Sequence, residues 1–270
     1  MLTFIPVGGL ANRMRSINSA ISLSDGDNMH IYWFKDQRLN CRFDQLFKPI
    51  PLANVTLKEA DVWDKVFYDR PRRKNLYIPT LFQKLRFDAC LYEHQAQAGR
   101  QDYAQWKKEH QSVYLASYNE FYQPKLELKS LFIPSDSIQL KIDSACSAHT
   151  EHTIGVHIRR GDHEIAIRKS PIELFIDAME KEIEANPQTN FYLATDSETE
   201  KKVLIKRFGS RIITPEYPAN RNTVEGIQNA VIDLYALSKS KRILGSFYSS
   251  FSEIAAQLGK CELSILTIND

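Results

Sequence analysis

The stretch IGVHIRRGDHE, residues 154–164, joins a short apolar run to two adjacent arginines, a glycine and an acid. A run of this length that is apolar almost throughout and ends in a turn fits a strand buried on both faces, as in a parallel sheet. Its end delivers His157, Arg159, Arg160 and Asp162 to one place. The chain downstream decides what kind of sheet this strand belongs to.

Downstream, strand and helix patterns alternate. SPIE predicts a helix start, with Ser170 as N-cap, Pro171 at the first helical position and Glu173 closing a capping box. Ile172, Phe175, Ile176, Met179 and Ile183 follow at helical spacing. FYLAT reads as a strand, and SETE opens a second helix through Phe208. Arg211 to Ile213 is a short strand candidate; Ile227, Ala230, Val231, Leu234 and Leu237 mark a helix; RILGS is a strand and SSFSEIAAQL a helix. Strands alternating with helices predict βαβ crossovers and a mostly parallel sheet.

The first half opens in the same way, with strand Leu2 to Val7, loop GGLAN, helix Arg13 to Leu23 and strand MHIYWF. From about Cys41 to Gln111 the periodicity dissolves into aromatic, charged and proline-containing sequence with no assignable pattern. Gln139 to Ala148 reads as a linker or bridging helix. A domain boundary follows near residues 130–150.

Bulk properties exclude several classes. The chain has 270 residues and a formal net charge of +2, with 35 Lys and Arg against 33 Asp and Glu, so it is no polycation shaped for nucleic acid. RPRRKN, Arg70 to Asn75, is locally basic but lacks repeated aromatic interleaving; it reads as a solvated loop that is able to face an acidic membrane surface. The cysteines Cys41, Cys90, Cys146 and Cys261 stand far apart without a C-x-x-C pair, against a zinc ribbon or disulfide framework. The N-terminus lacks a charged leader and cleavage site, and no apolar run reaches membrane-spanning length. A cytoplasmic protein is expected, with the inner face of a membrane open to it only through peripheral association.

Ligands of open parallel sheets bind outside the carboxyl ends of the strands. Three such ends carry polar groups here: Arg159, Arg160 and Asp162; Asp196; and Ser246, Tyr248, Ser249 and Ser250. Two guanidiniums, several hydroxyls and a helix N-terminus suit a polyanion such as a diphosphate. Each feature also has a plain structural reading. Asp162 neutralises an arginine, Asp196 caps a strand end, and Ser249 and Ser252 cap a helix. Competing motifs fail: GGLANR lacks the G-K-[ST] of a P-loop, no G-x-G-x-x-G follows a strand, and Asp25-Gly26-Asp27 has turn composition. No His, Cys and carboxylate cluster has metal-ligand spacing, so arginines must do a cation's work.

HIRRGD resembles motif I, the H-x-R-R-x-D element of the fucosyltransferase superfamily of α1,2-, α1,6- and protein O-fucosyltransferases. FYLATDSETEKKVLIKRFG and AVIDLYALSKSKRILGSFYSSFSEIAAQLG are similar to the later elements of the α1,6 enzymes, and GGLANR resembles the glycine loop near the start of the others. The resemblance covers residues 154–260 well and the middle of the chain hardly at all. It implies an α/β fold of GT-B type, two Rossmann-like domains facing across a cleft, with the acceptor on the side of 1–135 and the donor mainly in 136–270. It further implies an inverting enzyme that needs no metal or other cofactor and transfers L-fucose from GDP-fucose to a hydroxyl of an oligosaccharide or lipid-linked glycan acceptor.

Carried over residue by residue, the resemblance places Arg159 on the donor diphosphate with Arg160 beside it, His157 and Asp233 at the guanine, Ser250 with Ser249 at the β-phosphate, and Gly9 and Asn12 from the facing domain. Asp196 joins this donor set. A carboxylate suits guanine because N1–H and N2–H₂ form a paired donor edge. In transfer, charge builds on GDP, and removing a group aimed at that charge costs on the order of 3 kcal/mol. The position of the α1,6 base carboxylate is Ile167 here, which leaves Asp162 and Glu164, with His163 and Asp196 nearby, as the carboxylate and histidine candidates. Two other readings stay open: a GT-B enzyme using another nucleotide sugar, and a non-catalytic module that binds a nucleotide sugar or glycan. The aromatics Trp63, Phe67, Tyr68 and Tyr77 stack on sugar rings or fill the core, and the core is expected for most of them.

Overall fold

The structure is a computed structural model describing residues 1–161, 164–217 and 222–268. It contains two compact units, Met1–Ser135 and Asp136–Asp270, each organised around a five-stranded parallel sheet.

In the first unit the chain runs β1 (Leu2–Pro6), α1 (Leu10–Ser24), β2 (Met29–Trp33), β3 (Val55–Glu59), α2 (Val62–Phe67), α3 (Ile78–Arg86), β4 (Ala89–Leu91), α4 (Tyr103–Lys108), β5 (Val113–Ser117) and α5 (Leu128–Leu131). The sheet order is β3-β2-β1-β5-β4. β1 and β5 are buried at every residue, as central parallel strands must be, whereas β2 and β3 alternate toward the edge. Ile5, Val7, Tyr68, Phe87 and Tyr114 form part of its core. The stretch from Cys41 to Gln111 is therefore ordered into short elements joined by loops. Its pattern was hard to read because α2 and α4 have only 6 residues and β4 has 3, too few to display a period.

The second unit runs α6 (Asp136–Ala145), β6 (Thr153–Ile158), α7 (Glu164–Lys169), α8 (Ile172–Ala185), β7 (Asn190–Thr195), α9 (Glu198–Phe208), β8 (Ile212–Ile213), α10 (Val224–Ser238), β9 (Arg242–Ser246), α11 (Ser250–Gly259) and β10 (Glu262–Leu266). Its order is β10-β9-β6-β7-β8, the doubly wound arrangement with β6 as first strand. β6 pairs from Thr153↔Asn190 to Ile158↔Thr195 on one side and from Gly155↔Ile243 to His157↔Gly245 on the other. Ile154, Val156, Ile158, Phe175, Met179, Phe191 and Leu193 fill the core between this sheet and α8. The bridging segment is a helix, α6, which buries Ile138 and Ile142 and packs on α10.

One helix start differs from expectation. Pro171, not Ser170, stands at the N-cap of α8, and no side chain caps it. Ser170 is buried and used elsewhere: its Oγ donates to the carbonyl of Leu266 and accepts from Phe247 N–H at 2.8 Å. It thereby ties the end of α7 to the chain on both sides of α11, and tertiary hydrogen bonding overrides the local capping pattern.

Candidate functional site

The site forms where the sheet of the second unit reverses its winding. β7 lies on one side of β6 and β9 on the other, so the segments after β6 and β9 leave in opposite directions and open a crevice at their carboxyl ends. Arg159 leaves β6 into that crevice. Its backbone N–H donates to Ser246 Oγ at the end of β9 (2.9 Å), and its Nη1 donates to Asp196 Oδ2 after β7 (2.8 Å). Three strand ends thus hold one residue.

Arg160 serves the turn. Its N–H donates to Asp196 Oδ1 (2.6 Å), its Nε to Glu200 Oε1 on α9 (2.5 Å) and its Nη1 to the Arg159 carbonyl (3.0 Å). The side chain is buried, which is tolerable for a cation because every contact is an acceptor. Ser197 caps α9 as SETE predicts, accepting from Glu200 N–H, while the Glu200 carboxylate turns to Arg160. Gly161 follows with φ +40, and a Cβ there would lie 2.8 Å from Asp196 Oδ2. Only glycine lets the carboxylate approach so closely.

His157 is buried and shares a 2.7 Å hydrogen bond between Nδ1 and Ser252 Oγ, with Ser249 Oγ at 3.5 Å, and its ring stacks on Phe251 at 4.8 Å. Burial first, and the charge of Arg159 second, lower its pKa to about 3, so it is a neutral imidazole at physiological pH. Ser249 occupies the N-cap position of α11 without a side-chain cap, and Ser252 is spent on His157, so neither hydroxyl acts as the helix cap its position suggests. Ser250 is the first residue of α11, whose N–H groups open onto the end of β9. Tyr248 precedes them in the left-handed conformation, φ +58, with an exposed ring.

Asp233 projects from α10, and its Oδ1 accepts from Tyr192 Oη on β7 (2.7 Å) and Tyr217 Oη (3.1 Å). Desolvation outweighs these two hydrogen bonds and raises its pKa to about 6. Thr195, Lys201, Thr214 and Tyr217 line a small pocket with it.

In the first unit, Gly9 precedes α1 and Asn12 lies in its first turn. Gly8 has φ +90, and Asn12 Oδ1 is buried without a hydrogen-bond partner. The last residue of GGLANR, Arg13, is fully buried over the Trp33 ring (4.6 Å), donating to the carbonyls of Gly8 (2.9 Å) and Phe34 (2.7 Å) beside Asp36 (3.3 Å). It clamps the glycine loop to the end of β2. Arg70 is not a solvated loop residue as its sequence implies: its side chain is largely buried and pairs with Glu93 at 2.5 Å.

The structure therefore gathers His157, Arg159, Arg160, Asp196, Ser249 and Ser250 around the β6 and β9 ends, with Asp233 beside β7. Glu164 is exposed at the start of α7. Asp162 and His163 lie outside the described residues. Sequence reading gave no role to Tyr192 and Tyr217 and only capping roles to Glu200, in SETE, and Ser252; what these residues do at the site comes from contacts far along the chain. Among the described residues no group of His, Cys, Asp and Glu is arranged to hold a metal ion, and no helix is long and apolar enough to cross a membrane.

Two parallel five-stranded sheets define an α/β chain of GT-B type. No protein-family model and no curated protein matches the sequence. Solved structures do match. The α-1,6-fucosyltransferase NodZ co-crystallised with GDP superposes with a TM-score of 0.64 at 19% identity, over 94% of this chain and 91% of that one; NodZ from Bradyrhizobium is also similar, at 0.63. A mutant of Arabidopsis thaliana FUT1 in complex with GDP gives 0.62 at 14% identity, over 98% of this chain and 69% of that one. POFUT1 in complex with GDP gives 0.58 at 11%, over 99% and 98%. At these identities the likeness establishes the fold, and the expected α/β class, with a parallel sheet in each of two units, is the one observed.

Proposed function

We propose that this chain is an inverting, metal-independent fucosyltransferase that moves L-fucose from GDP-fucose to a hydroxyl of a glycan acceptor, free or lipid-linked. The observation that carries the reading is Arg159, fixed at the winding reversal by Ser246 and Asp196 next to the N-terminus of α11. Two further features support it: the fold is shared with proteins solved with GDP, and the neutral His157 lies against Ser249 and Ser252 at the start of α11.

In the proposed reaction the bond between fucose C1 and the β-phosphate oxygen breaks, and its electron pair leaves with GDP. The guanidinium of Arg159 and the N–H groups of α11 receive the charge that develops. The acceptor hydroxyl attacks C1 from the opposite face and loses its proton to a carboxylate. Glu164 is exposed and unencumbered by burial, Asp162 stands next to the turn in sequence, and Asp196 is already committed to Arg159. In this reading the second unit carries the donor site and the first carries the acceptor site, with Gly9 and Asn12 among its polar loop residues.

Titration calorimetry of GDP, UDP and GDP-fucose in EDTA, repeated on Arg159→Ala, tests this. Guanine-selective binding without metal, lost in the variant, is the expected result. A preference for UDP would transfer the reading to another nucleotide sugar. Binding of GDP-fucose without turnover on any glycan hydroxyl would leave a non-catalytic binding module.

A further inference from the structure

α3 is built inside out. Its inward residues are Pro79 and Gln83; the Gln83 amide donates to the carbonyls of Phe67 (3.3 Å) and Asp69 (2.9 Å) and accepts from Tyr92 Oη (3.1 Å). Its outward residues are Ile78, Leu81 and Leu85, spaced i, i+3 and i+7, with Leu81 64% and Leu85 80% exposed. In a surface helix of a globular protein that stripe faces the core. Leu76 and Tyr77 extend it from the preceding turn, and on α2, joined to α3 through the Phe67–Phe82 ring contact, Trp63 is 73% exposed. The core expected for most of the four aromatics holds only for Tyr68: Trp63 and Tyr77 are on the surface, and Phe67, 36% exposed, packs on Phe82.

The charge of the same segment selects the occupant. Residues 62–87 carry seven Lys or Arg and two Asp, in a chain whose net charge is only +2. Both acids within it, Asp64 and Asp69, are buried and tied into hydrogen bonds, and the exposed Asp61 and Asp88 stand just outside it at either end, whereas Lys65, Arg73, Lys74, Lys84 and Arg86 are exposed. An apolar stripe with Trp and Tyr, bordered by cations and with its acids withdrawn, matches the boundary of an anionic bilayer, where apolar side chains enter the acyl edge and cations meet headgroup phosphates. We infer that the α2–α3 hairpin is a peripheral membrane anchor for anionic phospholipid. This goes beyond the proposed transfer reaction and does not depend on it.

Vesicle flotation of the full chain tests the anchor. The protein should float with phosphatidylcholine vesicles containing phosphatidylglycerol and stay in solution with phosphatidylcholine alone, and added salt should release it. Arg73→Glu with Lys74→Glu, and separately Leu81→Ser with Leu85→Ser, should each weaken partition by about tenfold or more, as should Trp63→Ala to a smaller degree, with far-UV circular dichroism unchanged. Flotation of these variants at the wild-type level, or no preference for the anionic vesicles, would overturn the inference. So would a dimer in sedimentation velocity without lipid that the Leu81, Leu85 variant abolishes, because the occupant would then be a second copy of the chain.

Discussion

Asp196 holds Arg159 by a 2.8 Å contact from Nη1 to Oδ2, and with its other oxygen it takes the next backbone N–H at 2.6 Å. One carboxylate thereby orients the guanidinium and shapes the turn that delivers it. The pair is mostly buried, so its Coulomb attraction is less screened than on an open surface. Under the proposed function two effects of opposite sign meet here: the carboxylate would pre-orient the cation for a diphosphate, and its own charge would repel that diphosphate.

Orientation should win, because Asp196 has two partners to position. Asp196→Ala is expected to weaken GDP binding by about tenfold, in line with about 1.5 kcal/mol or more for a hydrogen bond to a charged group. Asp196→Asn, which keeps an acceptor for the Arg160 N–H, should lose less. Calorimetric titration of both variants decides it, and tighter GDP binding by Asp196→Ala would show that charge repulsion dominates.

The two buried titrating groups pull stability in opposite directions. Folded His157 has its pKa near 3 against an ordinary 6.5, so as pH falls below about 6.5 the unfolded chain takes up a proton that the folded chain refuses. Stability is lost across that window at up to about 1.4 kcal/mol per pH unit. Asp233 is raised to about 6 from 3.8, so its contribution is fully present below 3.8 and lost as pH rises through about 6. Urea midpoints read from neutral pH down to about 4.5 should therefore fall for wild type relative to His157→Gln and rise for wild type relative to Asp233→Asn, whose uncharged side chain removes the buried charge. Parallel curves in both comparisons would contradict the burial of the two charges.

Arg13 should matter to the first unit as structure. Arg13→Met keeps most of the stem but removes the donors to Gly8 and Phe34, leaving two buried carbonyls unpaired at a cost of about 2–3 kcal/mol. Asp36 remains near Arg70 (4.0 Å) and is partly exposed, so no isolated buried charge adds to that figure. Arg13→Lys should rescue little, since an ammonium cannot reproduce the planar fork stacked on Trp33. Thermal unfolding of the two variants measures this; a midpoint equal to wild type would remove Arg13 from the clamp.

Local pattern alone determined much of this molecule. The apolar run ending in Arg159, the SETE cap, the stripe along α8 and the alternation through α11 are short-range signals, and each reports burial that any parallel sheet with covering helices requires. From these, the α/β class and the strand ends as the place of the site were legible. What the sequence could not determine is partnership at long range. That Ser170 binds Leu266 and Phe247 rather than capping α8, that Glu200 reaches Arg160, and that Tyr192 and Tyr217 close on Asp233 are contacts across 16 to 96 residues. The inverted α3 shows the same limit: its period predicts which residues share a face, but only the packing of Gln83 against the chain decides that the apolar face looks outward.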